Sequence, residues 1–193
     1  MNDIDVRQAV HKKVLKKHHD DCSTLVVDEL GICQGEARVD IAVVNGIIHG
    51  YELKSARDNL NRLPNQVNYY STVMDKMTLV VAENHLSGAL DIIPDWWGVK
   101  VATIGTRGAI HLKTLRRERS NNAVDAWYLS QLLWHDEVLE ALALCGVTKG
   151  VRSKPRWYLW EKLAKVMPLY QLKDFVRMAL KRRTNWRDTC LSL

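Results

Sequence analysis

A mixed α/β sheet flanked by helices, followed by a helical C-terminal region, is the fold class this sequence predicts, and three observations predict it. Two runs of aliphatic and β-branched residues flank Asn45-Gly46, the pattern of a β-hairpin. Short apolar runs at 77–82 and 99–104 have the length of strands and alternate with stretches that suit helices. Beyond the polar seam at 115–122 (LRRERSNN), apolar residues recur at helical spacing instead. With 193 residues, 47% hydrophobic and 26% charged, the chain is an ordinary globular one, long enough for one good core or a core plus a small appendage.

Taken in order, Asp3 is expected to cap a helix over 4–18, with Ile4, Val10, Val14 and Leu15 on one face and lysines crowding its last turns, where the helix dipole favours cations. A strand over 23–30 buries Leu25, Val26 and Val27 and leaves through Asp28-Glu29; a loop at 31–35 leads to the hairpin. Ser55-Ala56-Arg57-Asp58 fits a capping box before a short helical turn at 56–62, and Pro64 suits the first turn of a longer helix at 64–75. Then come a buried strand at 77–82, a short helix at 85–93 ended by Pro94, a turn carrying Trp96-Trp97-Gly98, a strand at 99–104 and an edge strand at 109–115. The two tryptophans are read as core anchors of that turn. Helices are expected at 123–133, 136–145, 154–166 and 169–183, with most of Trp127, Trp134, Trp157, Trp160 and Trp186 anchoring a small bundle. The division is therefore an α/β core at 1–115 and a basic helical region at 116–193.

The chemistry lies in the hairpin. Asp40 sits inside Val39-Asp40-Ile41-Ala42-Val43-Val44, and Glu52-Leu53-Lys54 closes the return strand. Charges in such apolar strands are costly unless paired, metal-bound or functional. A period of two puts Glu52 and Lys54 on one face. A two-residue Asn45-Gly46 turn would set Asp40 opposite Tyr51, on the wrong face; a three-residue loop or a bulge sets it opposite Glu52, and that less simple turn is the expectation. Two carboxylates so placed repel, and a hard divalent cation, Mg²⁺ or Mn²⁺, resolves the repulsion. Arg38 shares a face with Glu36 and Asp40 and suits either an ion pair or a phosphate.

These residues resemble the PD-(D/E)XK nuclease superfamily, whose signature is an acid followed by Glu-x-Lys on the next strand. Asp40 matches the first acid, Glu52 the second and Lys54 the lysine; Val39 stands where the family's name has Pro. Gln66-Val67-Asn68-Tyr69-Tyr70 is similar to the Gln-x-x-x-Tyr element of its RecB-like branch, and Gln66 and Tyr70 lie one helical turn apart. The wording GYELKS, the Leu-Pro-Asn-Gln helix and Pro94-Asp95-Trp96-Trp97-Gly98 look most like small bacterial and phage nuclease-like proteins, over most of the chain. The resemblance implies a restriction-endonuclease-like sheet and metal-dependent hydrolysis of DNA phosphodiester bonds. Asp40 and Glu52 would hold Mg²⁺ or Mn²⁺, with Glu29 as a further metal contact and Asp5 as a weaker one; Lys54, Gln66 and Tyr70 would complete the catalytic set. On that reading, Ala at Asp40 or Lys54 ends cleavage and leaves the fold intact.

Charge distribution bears on partners. Residues 1–110 hold 12 Lys/Arg against 14 Asp/Glu, whereas residues 111–193 hold 16 against 8. A basic half suits a phosphate backbone, with Arg116, Arg117, Arg152, Lys154, Arg156, Arg182 and Arg183 as the contacts beside Arg38. DNA is thus the expected partner, and a homodimer is compatible with it. A nucleic-acid-binding protein of the same fold without turnover, and a regulatory protein whose basic tail docks on an acidic partner, remain alternatives. No apolar run is long enough to span a bilayer and no signal-peptide pattern opens the chain, so no membrane contact and a cytoplasmic location are expected. Cys22, Cys33, Cys145 and Cys190 show no metal-binding or disulfide spacing.

Overall fold

The computed structural model describes residues 1–183, so Trp186, Arg187 and Cys190 lie outside the described residues. Six strands form one mixed sheet in the order β1-β2-β3-β4-β5-β6. They are β1 (Leu25–Ile32), β2 (Ala37–Val44), β3 (Ile48–Lys54), β4 (Lys76–Ala82), β5 (Gly98–Ile104) and β6 (Ile110–Arg116). The first three form an antiparallel meander, β3, β4 and β5 run parallel, and β6 returns antiparallel along β5. Parallel neighbours require crossovers. Helices α3 (Leu63–Val73) and α4 (Leu86–Leu90) supply them.

The two faces of the sheet bury different partners. Against one lie α1 (Asp3–Lys13) and the single turn α2 (Lys16–His19); Val6, Val10 and Leu15 pack there on Ile41, Val43, Tyr51, Leu53 and Val80. The opposite face carries α3 together with α5 (Ala126–Ser130), α6 (His135–Leu144), α7 (Arg156–Val166) and α8 (Leu169–Arg182). One continuous core joins Val39, Leu79 and Val99 of the sheet to Tyr70, Leu129, Leu159 and Val176 of those helices.

Several boundaries differ from the sequence expectation, each for a local reason. Asn2, not Asp3, caps α1: its side chain accepts from Asp5 N–H (2.9 Å) while Asp5 accepts from Asn2 N–H (2.8 Å). The helix breaks at Val14 and Leu15 because Leu15 turns into the core, and Ile4 faces solvent. Strand β1 runs on through Ile32, since Gly31 and Ile32 still pair with Arg38 and Ala37. Residues 56–62 are turns rather than a helix. Half of the expected box is there, Ser55 N–H donating to Asp58 Oδ2 (2.6 Å), but the chain moves directly into α3 with Pro64 in its first turn.

The seam at 115–122 is anchored. Asn121 donates to the carbonyls of Ser71 and Met74, both at 2.8 Å, covering the open C-terminal end of α3. Asp125 then caps α5 by accepting from Trp127 and Tyr128 N–H. Trp97 is fully buried and stacks on Tyr70, ring centroids 6.0 Å apart, as the core-anchor reading requires. The bundle tryptophans divide differently. Trp160 is buried and Trp127 packs against the core, but Trp134 and Trp157 are exposed, each standing at the N-terminal end of its helix.

Candidate active site

The hairpin loop has three residues. Val44 pairs with Ile48 and Ile41 with Tyr51, and the same register carries Asp40 to the level of Glu52. The β2–β3 ladder ends at Ile41–Tyr51, leaving the next strand groups without a partner. Leu53 N–H donates instead to Asp40 Oδ2 at 2.7 Å, so the Asp40 carboxylate fills the gap where the two strands part.

Glu52 and Lys54 point from β3 into the α3 side of the sheet and are almost entirely buried. Lys54 Nζ lies 2.7 Å from Glu52 Oε1 and 3.0 Å from Gln66 Oε1, and Gln66 Nε2 donates to the same Glu52 oxygen at 2.7 Å. The second Glu52 oxygen is 2.7 Å from the Tyr70 hydroxyl, which is also 2.7 Å from Arg38 O and 3.2 Å from Gln66 Nε2. The helical spacing of Gln66 and Tyr70 thus brings both onto one buried carboxylate. Gly50, two residues before Glu52 on the same face, leaves room for this packing: a Cβ there would sit 2.3 Å from Met77 Sδ and 3.1 Å from Val39 Cγ1.

On the other flank Arg7 reaches from α1, donating to Asp40 O (2.6 Å) and Glu29 Oε1 (2.7 Å) and lying 3.3 Å from Asp40 Oδ1. Glu29 has a left-handed backbone (φ 59°) that interrupts the ladder between Asp28–Ile41 and Leu30–Val39. Its carboxylate pairs with Arg7 and approaches Arg38 (3.7 Å). Arg7 had no distinguishing mark in the sequence beyond standing one turn after Asp3 and beside Val6.

Asp40, Glu52, Lys54 and Gln66 line one open cleft of about 850 Å³, together with Arg7, Glu29, Arg38 and Arg62. Burial and the nearby Glu52 charge push the Asp40 carboxyl up to about 8, against the opposing pull of the Leu53 N–H and Arg7. Burial, then the Glu52 charge, raises the Tyr70 hydroxyl. Burial disfavours the Arg7 charge, but Asp40, Asp3, Glu29 and Asp28 outweigh it and Arg7 ends above its usual value.

The donor set suits a small hard cation on the Asp40 side, where two carboxylates on adjacent strands share a cleft and repel. On the Glu52 side both oxygens already carry hydrogen bonds from Lys54, Gln66 and Tyr70. The expected set of Asp40, Glu52 and Glu29 does not assemble: among the described residues no three His, Cys, Asp or Glu gather into a group able to hold a metal ion. The reason is Arg7, which draws Glu29 into an ion pair. Asp5, the weaker candidate, is spent in the Asn2 capping box.

The expected phosphate contacts separate into two groups. Arg116 clamps the Trp97 turn, donating to Trp97 O (2.8 Å) and Pro94 O (3.1 Å). Arg182 pairs with Glu140; Arg183 binds Glu137 through two nitrogens and stacks on Trp134 at 4.3 Å. Arg38, Arg117, Arg152, Lys154 and Arg156 are exposed, and of these Arg38 lines the cleft. Arg62, also exposed at the cleft, was not singled out by any motif.

Fold and site together define a mixed α/β protein with a buried Glu-Lys-Gln-Tyr cluster opening on an acidic-and-basic cleft. The chain belongs to the family described as Bacteriophage P4 protein cII, whose model matches residues 2–192. Protein cII of Enterobacteria phage P4 is 23% identical over 158 residues, covering 82% of this chain and 59% of its own length. The chain therefore spans about three fifths of that curated relative. Among solved structures, a protein of unknown function from Silicibacter pomeroyi aligns with a TM-score of 0.44 and 19% identity, over 61% of this chain and 71% of that one. Among the described residues, no helix is long and apolar enough to cross a membrane.

Proposed function

We propose that the cleft is the centre of a metal-dependent nuclease that hydrolyses phosphodiester bonds, of DNA in particular, in the cytoplasm. The observation that carries this reading is the convergence of Asp40, Glu52 and Lys54 with Gln66 on one cleft, through a hairpin loop of three residues. Asp40 and Glu52 would hold Mg²⁺ or Mn²⁺, which when bound lowers the pKa of a water and polarises the phosphate. Lys54, held between Glu52 and Gln66, orients the attacking water and balances negative charge as it develops. Gln66 and Tyr70 fix the Glu52 carboxylate, and Arg38 and Arg62 at the cleft wall receive the phosphate backbone.

A second reading is a nucleic-acid-binding protein that does not turn over. What favours it is specific: the Glu52 oxygens are taken up by Lys54, Gln66 and Tyr70, and Glu29 by Arg7. The test incubates the purified chain with labelled linear, nicked, branched and single-stranded DNA, in Mg²⁺, in Mn²⁺ and in chelator. Metal-dependent cleavage, lost in Asp40→Asn and Glu52→Gln, is the expected result. Binding without cleavage in either metal selects the second reading, and cleavage that survives both substitutions sinks the assignment.

A further inference from the structure

The cations of the C-terminal half are not one pool. Arg116, Lys165, Lys173, Arg177, Arg182 and Arg183 each sit in an ion pair with an acid of the chain. Lys149, Arg152, Lys154 and Arg156 are all exposed and none of them is ion-paired among the described residues. No acid occurs in the segment KGVRSKPRWY that holds them. At its end stands Trp157, 58% exposed, its ring set edge-on against Tyr158 at 6.0 Å.

The segment is held in shape from below. Val151 is buried, Lys154 N–H closes a turn on Val151 O (3.0 Å), Pro155 leads into α7, and Leu159 and Trp160 anchor that helix in the core. Lys154 Nζ rests 5.5 Å from the Tyr158 ring centroid. An exposed indole leaves apolar surface in water at a cost that burial would recover, and here it follows, in the same segment, four cations that have no acidic partner among the described residues. An acidic peptide would be satisfied by the charges alone. Flat aromatic surface next to phosphate-binding cations matches an unpaired base and its backbone. A duplex offers no such base, because its bases are stacked on each other.

We propose that Lys149, Arg152, Lys154, Arg156 and Trp157 form a second, metal-independent contact for single-stranded nucleic acid, the cations holding phosphates and Trp157 stacking on a base. The proposal rests on the chain acting on nucleic acid, as read above, and not on cleavage. The test measures anisotropy of a labelled oligothymidylate and of a blunt hairpin duplex with the full chain in EDTA. Trp157→Ala is expected to weaken oligothymidylate binding about tenfold, the scale of one base stack, and duplex binding less than twofold, while Trp157→Phe keeps most of the affinity. Arg152→Glu with Arg156→Glu should weaken both ligands and reduce the salt slope for the single strand by roughly 1.4. Circular dichroism identical to wild type shows that the fold is kept, as the exposure of these side chains leads one to expect.

Equal oligothymidylate affinity in wild type and Trp157→Ala overturns the proposal even if cleavage is intact. So does Trp157-dependent binding to phosphatidylserine vesicles with no effect on oligothymidylate. Trp157-dependent binding of the single strand in a protein that never cleaves supports it while removing the nuclease reading.

Discussion

Replacing Lys54 by Met tests the buried cluster most directly. The Lys54 side chain is 5% exposed and that of Glu52 2%, with Nζ and Oε1 at 2.7 Å. Removing the ammonium leaves a carboxylate in a nearly dry site. Breaking a buried pair in this way costs about 3–5 kcal/mol. Gln66 and Tyr70 still donate to Glu52, each at 2.7 Å, which places the expected loss near the lower end, about 3 kcal/mol. For a chain of this size that lowers Tm by roughly 6–12 °C. The double variant Glu52→Gln, Lys54→Met removes the stranded charge and should regain at least half of the loss, so the two single effects should not add. Thermal unfolding at pH 7, followed by circular dichroism for the four members of the cycle, measures both quantities. A Lys54→Met protein melting within 2 °C of wild type, or strictly additive losses, would refute the argument. The same burial means that replacing Lys54 costs stability even where the fold is kept.

Asp40 gives a pH dependence of definite sign. Its folded pKa of about 8 stands above its ordinary 3.8, so the folded chain binds this proton more tightly than the unfolded one. The resulting stability is fully present below pH 4 and is lost as pH rises through 8; Asp40→Asn should flatten that part of the profile, and urea unfolding at pH 5, 7 and 9 showing equal slopes for both proteins would contradict it. Tyr70→Phe strands Arg38 O and removes a donor from Glu52, an expected cost of about 1–3 kcal/mol by urea unfolding. Gly50→Ala drives a methyl to 2.3 Å from Met77 Sδ, and overpacking of about 1–3 kcal/mol is expected, softened if the flexible Met77 swings aside, as a compensating Met77→Ala would reveal.

The alternation of apolar residues in 37–54 and the apolar runs before and after were enough to find the strands; their order in the sheet, with β3, β4 and β5 parallel, was set by the crossovers through α3 and α4. The hairpin pattern brought Asp40, Glu52 and Lys54 into view: a three-residue loop or a bulge was needed to put the charges together, charges scattered on both faces of a sheet would have had no compensation, and the structure has the three-residue loop. Gln66 and Tyr70 were legible through their spacing of one turn. Boundaries moved by a few residues, as at β1, the first helix divided into α1 and α2, and the short helical turn expected at 56–62 did not form.

What the sequence could not decide were the pairings made across long stretches of chain. Whether Glu29 faced a metal or an arginine depended on where α1 lies against the sheet, which brings Arg7, 22 residues away in sequence, onto Glu29. Whether a basic residue was free or bound depended on which acid the folded helices brought beside it: Glu137 found Arg183, 46 residues on, while nothing acidic met Arg152 or Arg156 among the described residues. Helical periodicity could not tell Trp160, which fills the core, from Trp157, which stands at the exposed end of the same helix. Local pattern fixes which way a side chain leans along its own element, and the free energy of a charge or an indole is then set by whatever the rest of the chain places against it.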